Sequence, residues 1–71
     1  MQNNINNGIP LVFLFEIQKN SNALSNYSKL DELKKIEITN YIQNSSTGLG
    51  AKEKINTAIK NLENNTLDFL N

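Results

Sequence analysis

The chain of 71 residues has no cysteine, no histidine, no arginine and no tryptophan. The missing cysteine excludes a disulfide framework, and the missing Cys/His cluster excludes a zinc-type site, so no metal is expected. Nucleophilic catalysis by a triad needs a base beside the hydroxyl or thiol, and without His or Cys the usual pairs cannot be assembled. Only carboxylate or lysine chemistry is left. Charge of one sign is also lacking: seven Lys balance seven Asp and Glu, which leaves no net field to draw in nucleic acid through counterion release. Residues 9–17 form the longest apolar stretch, but Pro10 and Glu16 interrupt it and it falls short of the ~20 residues a membrane helix needs. No membrane span is expected. The start of the chain has no cation ahead of that stretch and no small-residue cleavage site after it, so neither export nor a secretory signal is expected. A cytoplasmic location follows.

What is abundant is asparagine, 14 of 71 residues, with Ile and Lys also common. That composition reads as the codon usage of an AT-rich bacterial genome, so single Asn residues and the sequons at Asn26, Asn44 and Asn64 carry little information. Length limits the chain to one domain, and a chain this short buries only about 60% of the surface its unfolded form exposes. The hydrophobic core must therefore hold the fold unaided.

Periodicity predicts an all-α architecture, a compact bundle of about four short helices with a disordered N-terminal arm. Residues 1–8 are the arm, 9–63 the bundle and 64–71 a tail that could dock on it. Asn7-Gly8 could make a tight turn, but no alternating strand flanks it. Pro10 suits a helix first turn, and Phe13, Leu14 and Ile17 follow at the spacing of a buried face, which predicts helix one over 10–19. Val12, Phe13 and Phe15 would also suit a strand. Asn20 caps a second helix through Tyr27, with Ala23, Leu24 and Tyr27 on one face; Asp31 caps a third that ends near Asn44 and offers Leu33, Ile36, Ile38, Tyr41 and Ile42. After a small, flexible stretch at 45–50, Ile55, Ala58, Ile59 and Leu62 mark a fourth helix over 48–63, expected to pack against Ile38, Tyr41 and Ile42. Tyr27 and Tyr41 should sit in the core with hydroxyls reaching the rim.

Three groups of residues are candidates for chemistry. Asp31, Glu32 and Glu37 are the nearest set of carboxylates, but the first two lie where the helix dipole favours acids. Thr47-Gly48-Leu49-Gly50-Ala51-Lys52 has two glycines ahead of a lysine but lacks the third glycine, the preceding strand and the Gly-Lys-Ser/Thr of phosphate-binding loops, and reads as a connection capped by Ser46 or Thr47. Lys34, Lys35, Lys52 and Lys54 are interspersed with Glu32, Glu37 and Glu53, as on a solvated helix face. The apolar excess is more informative. Leu11, Val12 and Phe15 cannot face the same side as Phe13, Leu14 and Ile17, so the tail, a second copy or another protein must cover some of that surface.

The order Pro10, Asn20-Ser21-Asn22-Ala23, Tyr27-Ser28-Lys29-Leu30, Lys34-Lys35-Ile36-Glu37, Tyr41-Ile42, Lys54-Ile55 and Ala58-Ile59-Lys60-Asn61-Leu62 resembles the C-terminal helical segment of the YdeI/OmpD-associated (bacteriocin-protection) proteins. Ser21 stands in place of a proline, Ile36 in place of a second basic residue, and Tyr41 in place of a tryptophan. The resemblance spans residues 10–63. It implies an all-helical unit of bacterial cytoplasmic proteins, sometimes fused to a small β-barrel domain, with Lys34, Lys35 and Glu37 as candidate surface positions and Tyr41 and Ile55 in the core. The expected function is a non-enzymatic protein-interaction module without cofactor, whose partner is another protein or a second copy. Its candidate surface comprises Leu11, Phe15, Lys34, Lys35, Glu37, Leu67, Phe69 and Leu70. The alternative is a small ligand-binding or enzymatic domain that uses Glu37 with Lys34 or Lys35.

Overall fold

Among the described residues, two helix starts are set by side chains that replace missing backbone partners. In the computed structural model, which describes residues 10–45 and 48–70, four helices occur in the order α1 (Leu11–Ile17), α2 (Ser21–Ser28), α3 (Glu32–Gln43) and α4 (Gly48–Glu63), followed by a 3₁₀ turn at Asp68–Leu70. The expected arm and the expected Ser46 or Thr47 cap fall outside the described residues. Asn20 Oδ1 accepts from the Ala23 N–H at 3.0 Å, and Asp31 Oδ1 accepts from the Lys34 N–H at 2.9 Å. Each satisfies a donor that a helix start leaves orphaned. Pro10 is the extended residue just outside α1, and its carbonyl accepts from the Leu14 N–H at 3.2 Å. Helix one is thus shorter than the 10–19 that periodicity suggested. Gln18 and Lys19 form a tight turn, and the Asn20 N–H donates to the Ile17 carbonyl at 3.0 Å.

The end of α4 is fixed by several interactions at once. Asn65 takes up a left-handed backbone at φ 58°, which asparagine tolerates better than most residues other than glycine. The reversal lets the Thr66 N–H reach the Asn61 carbonyl at 2.9 Å and the Asn65 N–H reach the Leu62 carbonyl at 3.0 Å, the paired bonds of a Schellman stop. From α2, Asn26 Nδ2 donates to the same Leu62 carbonyl at 2.7 Å. That oxygen therefore uses both lone pairs, and one atom joins the end of α4, the start of the tail and α2.

The core comprises Phe13 and Ile17 of α1, Ala23 and Tyr27 of α2, Ile38 and Ile42 of α3, and Ile55, Ala58 and Leu62 of α4. Helix α4 contacts α1, α2, α3 and the 3₁₀ turn, and it contacts α2 most extensively. The expected packing of α4 on α3 through Ile38 and Ile42 is present, and the larger α2 contact is one that periodicity did not indicate. Small side chains permit close helix approach, and α2 and α4 bury Ala23 and Ala58 completely. Helix α3 differs further from expectation, because Leu33 and Ile36 are exposed and Thr39 is buried in their stead. Five apolar positions at 33, 36, 38, 41 and 42 cannot share one face; once Ile38 and Ile42 point inward, Leu33 and Ile36 point away. The radius of gyration, 11.5 Å, matches the ~11 Å of a compact chain of this length. Among the described residues no helix is long and apolar enough to cross a membrane.

Leu62 is fully buried whereas Ile59 is only half-buried. Leu62→Ala is expected to cost about 2–5 kcal/mol in urea denaturation, and Ile59→Ala less than half as much, because the cavity penalty scales with how enclosed the deleted atoms are. Equal costs at the two positions would contradict this placement of the α4 stripe.

Candidate interaction surface

Helix α1 is apolar on opposite sides. Phe13 and Ile17, four residues apart, are buried, with the Phe13 ring edge-on to Tyr27 at a centroid distance of 5.5 Å. Leu11 and Phe15 are also four apart, Val12 lies beside them, and their exposures are 62%, 60% and 56%. Single exposed apolar residues are ordinary on a protein surface; three contiguous ones on one short helix are not. The tail does not cover them. Leu67, Phe69 and Leu70 are half-buried against the core, and the 3₁₀ turn packs on α3 and α4, where Phe69 lies edge-on to Tyr41 at 5.0 Å.

A groove of about 640 Å³ adjoins this ridge. Its α1 wall is Pro10, Val12 and Glu16; its opposite wall is Ala51, Lys52 and Ile55 of α4; the end of α3 closes it with Ile42, Gln43 and Ser45. Val12 thus belongs to both ridge and groove. Apolar carbons dominate the walls, and the charged residues among the lining are Glu16 from α1 and Lys52 from α4. Glu16 also pairs with Lys19 at 3.2 Å in an exposed contact, of a kind worth at most about 1 kcal/mol. Sequence reasoning missed Glu16 and Lys52 as parts of a site, because the two lie 36 positions apart on different helices and no local pattern records the groove between them.

The charged candidates are dispersed. Lys34 Nζ pairs with Glu37 Oε1 at 3.4 Å, both side chains close to half exposed. Lys35 points elsewhere, its Nζ lying 5.6 Å from the centre of the Tyr27 ring. Glu37 also borders a shallow depression of about 400 Å³ with Tyr41, Phe69 and Leu70. The eight expected surface residues therefore divide among three places: Leu11 and Phe15 on the ridge, Lys34 with Glu37 and the tail residues around α3, and Lys35 over Tyr27. Among the described residues no group of three or more acidic side chains is placed to hold a metal ion. No protein-family profile matches the chain, no curated protein matches it, and no solved structure matches it.

Tyr27 departs from the sequence expectation that its hydroxyl reaches the rim. The oxygen is buried and has no hydrogen-bond partner among the described residues. Burial pushes the phenol pKa above its ordinary 10.0, and the Glu32 carboxylate raises it further. The folded state thus favours the neutral phenol. Its contribution to stability is intact below the ordinary phenol pKa and is lost as pH rises through the folded value, where the unfolded chain releases its proton more readily.

Two outcomes follow. Tyr27→Phe should be neutral or stabilising at pH 7, because it removes an unsatisfied group whose burial costs about 1–3 kcal/mol, and it should lose less stability than wild type between pH 9 and 11 on the scale of about one phenol ionisation. Phe13→Ala should cost about 3–5 kcal/mol, whereas Phe15→Ser should shift the denaturation midpoint little. A Phe15→Ser penalty that matches Phe13→Ala would show that the ridge is core.

Proposed function

We propose that this chain is a small, non-enzymatic protein-interaction module of the bacterial cytoplasm that works through the outer face of α1 and the groove beside it. The observation that carries this reading is the majority exposure of Leu11, Val12 and Phe15 next to a predominantly apolar groove. Burying each large side chain contributes about 1.5–3 kcal/mol, and a ridge beside a concavity is the form in which interface anchors meet pockets. The cost of association, on the order of 4–15 kcal/mol, limits such a site to modest affinity unless the groove is also filled. A cytoplasmic location accords with the cysteine-free composition; fractionation of cells of the source organism with an antibody to the chain is the check, and recovery in an exported fraction would rule it out.

Kinship with the helical segment of the YdeI/OmpD-associated proteins is proposed on the sequence resemblance, and a structure of that segment with different helix order or caps would dismiss it. An enzymatic or ligand-binding reading based on Glu37 with Lys34 or Lys35 has less support. Lys34 is engaged by Glu37, whereas Lys35 lies over the Tyr27 ring.

Selection of phage-displayed peptides on wild-type protein and on Phe15→Asp tests the proposal. Wild type should enrich amphipathic sequences with large apolar residues at helical spacing, and the variant should lose them while keeping the wild-type melting curve. Equal enrichment on both proteins, or none on either, would count against the α1 face as a binding site.

A further inference from the structure

We infer that the occupant of the α1 face and its groove is a second copy of this chain, joined by a two-fold axis that places the Phe15 ridge of each copy in the groove of the other. The inference rests on the proposed binding role of that face. Ridge and groove lie side by side and share Val12, so the surface carries both a projection and a matching concavity. A surface of that kind is self-complementary under a two-fold rotation, which uses both features of both copies and leaves none open at the ends. Head-to-tail use would leave one ridge and one groove unfilled at the ends of every chain of copies.

Charge agrees with this occupant. Glu16 follows Phe15 in sequence and lines the α1 side of the groove, while Lys52 lines the opposite wall. When Phe15 enters the partner's groove it carries Glu16 toward the partner's Lys52, and symmetry repeats the pair. A cross-paired Glu16 and Lys52 rewards a copy of this chain and gives an unrelated apolar helix only half the match. The formal net charge of zero removes the repulsion that opposes self-association of a charged domain. The whole chain exposes 4610 Å². A standard interface of roughly 800 Å² per partner would take about a sixth of that, and three ridge side chains with the groove walls offer less. The dimer is therefore reversible, and forms in the micromolar-to-millimolar range.

Sedimentation velocity of the full chain across that range, with four variants, tests the inference. Wild type should shift from monomer to dimer and stop there. Phe15→Asp should weaken association by at least about tenfold with its melting curve kept at low concentration. Glu16→Lys and Lys52→Glu should each weaken it, and the double variant Glu16→Lys with Lys52→Glu should regain wild-type association, because the crossed pairs are restored with reversed sign. A chain that stays monomeric at millimolar concentration overturns the inference, as do association that survives Phe15→Asp, species that grow beyond the dimer, and a double variant no tighter than the single ones. A strict monomer that still selects peptides through Phe15 sinks the dimer and leaves the binding role standing, whereas a monomer that selects none sinks both.

Discussion

The apolar stripe of α4, made of Ile55, Ala58 and Leu62, is the surface on which the other elements are laid. The chain has no cysteine to form a disulfide, and helices of 7 to 16 residues cannot each be stable in isolation. Stability has to come from mutual burial. Helix α4 is the longest element and the one that touches all the others, so its inward face sets the geometry of the rest. Its C-terminal end is fixed by backbone and side-chain bonds together, since the Leu62 carbonyl takes one bond from Asn65 and one from Asn26. Removing the stripe would leave α1, α2 and α3 with little to pack against but short connections.

From that constraint follows the odd position of α1. Its seven residues are joined to α2 by only Gln18, Lys19 and Asn20, and it is docked through Phe13 and Ile17. A small bundle offers such a helix one neighbouring surface, and once that face is used, Leu11, Val12 and Phe15 must face outward. Burial on one side and exposure on the other are consequences of the same packing. The residues that the fold does not need are thereby left in solvent on the shortest helix. The opposite arrangement holds at the tail, where Phe69 packs edge-on to Tyr41 and Lys54 lies 5.1 Å from the centre of the Tyr41 ring. There the apolar surplus of the tail is absorbed within the chain.

Much of this was legible in the sequence because its signals are local. Asn20 and Asp31 at the caps, the start of α4 near Gly48 and the stripe at 55, 58 and 62 depend on spacing within one or two turns. The division of α1 into two faces was legible too, since Phe13 with Ile17 and Leu11 with Phe15 are separate i, i+4 pairs. What could not be read is what arises between elements. Nothing near Leu33 or Ile36 says that Ile38 and Ile42 will turn inward first, and the close approach of α2 to α4 depends on Ala23 and Ala58, 35 positions apart. The Glu16 and Lys52 walls of the groove belong to the same class, as does the buried hydroxyl of Tyr27, whose ring packs edge-on to Phe13 of another helix.

Helix α1 presents one apolar face to the core and a second apolar face to the outside. The most direct test is NMR of the chain at low concentration with a soluble paramagnetic agent added. The Leu11, Val12 and Phe15 side-chain signals should be strongly attenuated and those of Phe13 and Ile17 little or not at all, a contrast that alternates along a single helix. Attenuation of all five signals, or protection of Phe15 with exposure of Phe13, would contradict it.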